Sequence, residues 1–121
     1  MRILVIDDEK NILRTITMYL EGHGFDVITA GNGLSGIQKA EETLPDLIIL
    51  DLVLPDIDGY MVCKTLKSHP KTCDIPILIM SAKSQTEDLE KAFEVGANEY
   101  IVKPFETFDF LKVVKQLLKE E

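Results

Sequence analysis

The sequence has no tryptophan, two cysteines, two histidines, and 13 basic residues against 21 acidic ones in 121 positions. Each shortage excludes something. Cys63 and Cys73 show no Cys-x-x-Cys spacing and no histidine at a metal-ligand interval, so they read as free thiols rather than a zinc site or disulfide framework. His23 lies between glycines and His69 precedes Pro70, which makes both turn residues and neither a phosphodonor nor a ligand. A formal charge of −8 repels a phosphate backbone and an anionic membrane, so no direct nucleic-acid or membrane partner is expected for this chain. The opening apolar run, Ile3 to Ile6, is far shorter than the ~7 residues of the smallest signal-peptide core or the ~18 of a membrane span. A cytoplasmic location follows as the expectation. No repeat, low-complexity tract or Pro/Gly/Ser-rich linker interrupts the chain, and its length suits one domain over residues 1–121 with no further domain after Glu121. No Walker-type Gly-Lys-Ser/Thr loop is present, which argues against a bound nucleotide.

What the sequence does contain is alternation. Runs apolar at every position, Ile3 to Ile6, Leu47 to Leu50, Ile75 to Met80 interrupted by Pro76, and Tyr100 to Val102, indicate strands covered on both faces. Phe25 to Ala30 is a weaker fifth, after the turn signal Gly22-His23-Gly24. Between them lie helical stripes: Ile12, Ile16, Tyr19 and Leu20; Leu34, Ile37 and Ala40 to Leu44; Met61, Val62 and Leu66; Leu89, Ala92 and Phe93; Phe110, Val113, Val114 and Leu117. Asp58 is placed to cap the third helix, Ser84-Gln85-Thr86-Glu87 reads as a capping box, and Gly96 ends the fourth. About five β/α units specify an α/β domain with a central parallel sheet and helices on both faces. The last helix carries a second apolar set, Phe108, Leu111 and Leu118, which is either a docking surface or part of a broad buried face.

Ligands of open parallel sheets bind beyond the carboxyl ends of the strands. The residues found there are Asp7, Asp8 and Glu9 after the first run, Asp51 after the third, Ser81 after the fourth and Lys103 after the last. Any one of them alone is an ordinary turn or cap residue. Together they place several carboxylates, a hydroxyl and an ammonium on one rim, and carboxylates ~4 Å apart repel by about 4 kcal/mol at an effective dielectric near 20. A divalent cation together with Lys103 would neutralise them. Magnesium suits such a site, with manganese as an alternative, because it takes a few carboxylate oxygens and keeps waters that an anionic group can replace. A phosphoryl group carried by Asp51 is the economical candidate.

These motifs, with Leu54-Pro55-Asp56-Ile57-Asp58-Gly59, Ser81-Ala82 and Tyr100-Ile101-Val102-Lys103-Pro104-Phe105, make essentially the whole chain resemble the receiver domain of two-component response regulators. The resemblance implies a flavodoxin-like (βα)5 doubly wound fold with strand order 2-1-3-4-5. It implies that Asp51 is the phosphoacceptor for a phosphohistidine on a histidine kinase or histidine phosphotransfer protein. Asp8, Asp51 and the Val53 backbone carbonyl would hold magnesium, with Asp7 supporting it through water. Lys103 would pair with phosphoryl oxygens, Ser81 would bond one of them after transfer, and Tyr100 would swing inward when Ser81 moves. A cis Lys103–Pro104 peptide is also implied. The domain would assist its own phosphorylation and dephosphorylation without being an enzyme. It would switch the surface around the fourth helix, fifth strand and fifth helix to control a downstream protein or tethered output domain, as a monomer or weak phosphorylation-dependent dimer.

Val53 and Lys83 stand at positions that tune dephosphorylation among receivers, and apolar Val53 orients no water, so a long-lived aspartyl phosphate is expected. Dimerising receivers usually carry a basic residue where this chain has Val113, which disfavours their charged interface. Two rival readings are an aspartate-nucleophile phosphatase of the haloacid-dehalogenase type and a phosphate-independent binding module. The first requires Asp-x-Asp directly after a strand, whereas Asp51 is followed by Leu52-Val53.

Overall fold

A computed structural model describes residues 1–119; the last two positions of the expected 1–121 domain lie outside the described residues. Five strands alternate with five helices: β1 (Arg2–Ile6), α1 (Lys10–Gly22), β2 (Asp26–Ala30), α2 (Gly33–Thr43), β3 (Leu47–Leu50), α3 (Gly59–Ser68), β4 (Ile77–Ser81), α4 (Thr86–Glu94), β5 (Glu99–Val102) and α5 (Thr107–Leu117). All pairings are parallel, in the order β2-β1-β3-β4-β5. This is the flavodoxin-like arrangement that the resemblance implied.

The two faces of the sheet carry separate cores, as strands buried on both sides require. Leu4, Ile6, Ile48, Leu50, Ile77 and Ile79 meet α2, α3 and α4 through Ala40, Val62, Cys63, Leu66 and Ala92. Ile3, Val5, Leu47, Ile49, Leu78 and Met80 meet α1 and α5 through Ile16, Leu20, Phe110 and Val114. Strict alternation along each strand therefore assigns successive residues to opposite cores.

Local departures from the sequence expectation have local causes. Strand β4 begins at Ile77 rather than Ile75, because Pro76 has no N–H for the ladder and contributes only its carbonyl, which accepts from Ile48 N–H at 3.0 Å. Helix α4 is capped one residue later than expected: Gln85 N–H donates to Asp88 Oδ2 at 3.1 Å, so Gln85 and Asp88 make the box instead of Ser84 and Glu87. The second apolar set on α5 is not one surface. Leu118 is buried in the α1/α5 core and Leu111 packs against it, leaving Phe108 exposed alone. Leu34, Met61 and Phe93, which have helical spacing, are also exposed. Asp58 does cap α3, accepting from Tyr60 N–H at 2.8 Å, and Gly96 ends α4 at φ +103°. Both cysteines are free thiols. His23 and His69 follow the ends of α1 and α3, where His69 pairs with Glu41 at 3.0 Å.

Candidate functional site

The carboxyl ends of β1, β3, β4 and β5 deliver the rim. Asp7 follows β1 and is fully buried; Asp51 follows β3 and is 8% exposed; Ser81 closes β4 and is fully buried. Lys103, just past β5, reaches back so that its Nζ donates to Asp7 Oδ2 at 2.9 Å and to Asp51 Oδ2 at 3.1 Å. The backbone fixes both carboxylates. Asp7 N–H donates to Ala30 O at 3.1 Å and Asp51 N–H to Ile6 O at 3.0 Å, while Asp7 Oδ1 accepts from Glu9 N–H at 2.9 Å. Asp51 Oδ1 accepts from Val53 N–H at 3.2 Å.

Asp8 is exposed, yet its carboxylate joins those of Asp7 and Asp51, with ligand oxygens all within 4.8 Å of one another. Three carboxylates face one ammonium, so an unneutralised excess of negative charge remains in a buried hollow. An all-oxygen donor set with excess negative charge fits a hard divalent cation. Burial disfavours the Lys103 ammonium, but the Asp7 hydrogen bond and the nearby Asp51 and Asp7 charges outweigh it, so its pKa is raised.

Ser81 and Lys103 are tied through the backbone, Lys103 N–H donating to Ser81 O at 2.8 Å. Ser81 Oγ accepts from Lys83 N–H at 3.3 Å, and Tyr100 O–H donates to Lys83 O at 2.7 Å. Tyr100 is thus already turned toward the β4–α4 connection, packed against the α3/α4 side of the core. Burial raises its pKa against the lowering effect of Ser81. Val53 is 58% exposed at the mouth, and the Lys83 side chain is also exposed. The Lys103–Pro104 peptide is cis. Beside Lys103 an open groove of about 570 Å³ runs between α1 and the β5–α5 connection, walled by Ile12, Ile16, Pro104, Phe105 and Phe110.

Three contributors escaped the sequence reading. Gly59 brings the start of α3 against the segment that follows β3: a Cβ there would stand 2.7 Å from Asp51 O and 2.8 Å from Leu52 O. Asp56 reaches the first turn of α2, accepting from Gly33 N–H at 2.8 Å and Leu34 N–H at 2.9 Å, and so anchors the connection that follows Asp51. Tyr60 O–H donates to Asp88 O at 3.1 Å, bridging α3 and α4. The motif Leu54-Pro55-Asp56-Ile57-Asp58-Gly59 and the Asp58 cap were visible in the sequence; the long-range partners of Asp56, Gly59 and Tyr60 were not.

The family model described as response regulator receiver domain matches residues 3–115. The DNA-binding dual master transcriptional regulator RpaA of Synechocystis and the alkaline phosphatase synthesis regulatory protein PhoP of Bacillus subtilis are each 42% identical over 118 residues, or 98% of this chain. The chain spans about half the length of these relatives, 49% and 48%. Among solved structures, the Vibrio cholerae chemotaxis protein CheY4 superposes with TM-score 0.91 at 28% identity, over 96% of this chain and 97% of that one. The BeF3-activated receiver domain of Klebsiella pneumoniae RstA gives TM-score 0.93 at 25% identity, over 99% and 100%.

Proposed function

The chain belongs to the response regulator receiver domain family, a signalling family of two-component systems, and from that premise we propose that Asp51 accepts a phosphoryl group from a partner phosphohistidine. The observation that supports this most directly is the convergence of Asp7, Asp8 and Asp51 within 4.8 Å around the Lys103 ammonium. Response regulators interact with histidine kinases, and the groove beside Lys103 offers such a donor, or a histidine phosphotransfer protein, an approach to the rim. In the transfer an Asp51 oxygen bonds to phosphorus as the bond from phosphorus to the donor imidazole nitrogen breaks. The bonding pair stays on that nitrogen, which takes up a proton.

Lys103 stands on the acceptor oxygen and is placed to hold the equatorial oxygens of a loose transition state. Val53 N–H orients the acceptor carboxylate. Magnesium, or manganese, held by Asp8, Asp51 and the Val53 carbonyl with Asp7 in support, would supply further neutralisation of phosphoryl oxygens. After transfer Ser81 exchanges its Lys83 contact for a phosphoryl oxygen, a charge-assisted bond worth roughly 1.5–3 kcal/mol. Moving a two-state domain from 1:99 to 99:1 takes about 5.5 kcal/mol, so Lys103, Tyr100 and a partner surface share the work with Ser81. The reading therefore has the domain promote its own phosphorylation and dephosphorylation while serving as a switch. Residues 1–121 act as one receiver unit whose α4, β5 and α5 surface controls a downstream protein or a tethered output domain.

The test is phosphoryl incorporation from a small-molecule donor and from a histidine kinase, followed by mass spectrometry. Asp51→Asn must abolish incorporation, and removal of divalent cations must suppress it. Undiminished labelling of Asp51→Asn overturns the assignment.

A further inference from the structure

The connection from β3 to α3, residues 52–58, is held at both ends. Upstream, Leu52 is buried and its carbonyl accepts from Gly59 N–H at 3.0 Å. Downstream, Asp58 caps α3 through Tyr60 N–H at 2.8 Å. Val53 lies between these points with its side chain 58% exposed, so little packing of its own fixes the backbone there. A third anchor, Asp56, ties the middle of the connection to another helix. The first turn of a helix leaves N–H groups without intrahelical partners, and in α2 each of the first three is taken by a side chain. Asp56 Oδ1 accepts from Gly33 at 2.8 Å, Asp56 Oδ2 from Leu34 at 2.9 Å, and Asn32 Oδ1 from Ser35 at 2.8 Å. The Asp56 carboxylate thus stands at the positive end of the α2 dipole. Apolar contact reinforces the joint: Ile57 lies so close to the start of α2 that a Cβ on Gly33 would stand 2.5 Å from Ile57 Cγ1.

We propose that Asp56 is a positioning residue for the divalent cation: by bridging the β3–α3 connection to the first turn of α2, it fixes the segment that carries the Val53 carbonyl before the ion arrives. The inference rests on the reading that Asp8, Asp51 and the Val53 carbonyl hold that ion. Asp56 itself is not a ligand. A connection released from α2 has to be ordered as the ion binds, and that ordering is subtracted from the affinity. By linkage the coupling runs both ways, so a bound ion steadies the connection and with it the two α2 amides.

Magnesium chloride titrated into the metal-free chain, followed by calorimetry, measures the effect. Asp56→Ala is expected to raise the magnesium dissociation constant roughly three- to tenfold, at or below the low end of the ~10–100-fold typical when a group bonded directly to a ligand is lost. Asp56→Asn removes the same charge but keeps an acceptor for one amide, and its constant is expected between those of the parent and Asp56→Ala. Asn32→Ala removes the other side-chain cap of α2 and is expected to bind magnesium as the parent does. In the parent, saturating magnesium should slow amide hydrogen exchange at Gly33 and Leu34, a response that Asp56→Ala should lose. An unchanged dissociation constant in Asp56→Ala overturns the proposal, as does slowing of those two amides that persists in it. Equal weakening in Asp56→Asn and Asp56→Ala also overturns it, because charge alone would then act at a distance. So does equal weakening in Asn32→Ala, because the stability of α2 in general would then be responsible. A parent chain that binds no magnesium is a separate result, and it overturns the ligand assignment and this inference together.

Discussion

Lys103 is the counter-ion to Asp7 and Asp51 at the residue scale, and on the proposed reading also the cation that would meet the phosphoryl group. Its pKa is raised above the ordinary 10.5 because the aspartates outweigh burial. A raised folded pKa means that the stabilisation is fully present below the ordinary lysine value and is lost as pH rises through the folded one. Urea midpoints of the parent should therefore show no pH dependence from this pair between neutral and mildly alkaline pH, and a decline only in strong alkali that Lys103→Met lacks. At neutral pH, Lys103→Met leaves two buried carboxylates facing Asp8 without a counter-charge, and a loss on the order of 3 kcal/mol is expected in urea unfolding. Asp8→Asn has the opposite sign. It relieves repulsion while sparing both Lys103 bonds, and a gain of about 0.5 kcal/mol in metal-free buffer is expected from the same measurement.

Elements determine whether those residues meet. The start of α3 lies directly on the segment that follows β3 because residue 59 has no side chain, and Gly59→Ala would drive a methyl group into the backbone of Asp51 and Leu52. A stability loss of about 1–3 kcal/mol is expected, together with weaker magnesium binding, since the Val53 carbonyl sits in the displaced segment; calorimetric titration and thermal unfolding check both. The elements were legible in the sequence wherever one face or both were uniformly buried, as in Ile3 to Ile6 and Leu47 to Leu50. Asp7, Asp51 and Ser81 were legible for the same reason, since each is the first polar residue after a buried run, whereas Asp8 and Lys103 were legible only by their place beside such residues at the strand ends. Periodicity could not say which stripe positions overhang the core: Leu34, Met61 and Phe93 have helical spacing yet face solvent. Asp56 and Tyr60 were illegible as site supports because their partners, the α2 amides and Asp88 O, lie across loops that no local pattern encodes.

Across the whole molecule, folding and cation binding are coupled, because the cluster that would bind the ion exists only when β1 and β3 are paired. Magnesium at about a hundred times its dissociation constant should raise unfolding free energy by about 2.7 kcal/mol, and the gain should disappear in Asp51→Asn/Asp8→Asn; thermal melts with and without chelator measure it. The net charge of −8 adds a salt dependence, since screening relieves self-repulsion across the surface.

The ion pairs of Lys103 reach back 96 residues to Asp7 and 52 to Asp51. During synthesis on the ribosome, Asp51 thus emerges well before the cation that completes its surroundings. A nascent chain stopped short of residue 103 carries the acids without the base, so on the proposed reading competence to receive a phosphoryl group would arrive only when the final strand docks. Unfinished copies would then be silent, because the charge that completes the cluster comes last in the chain.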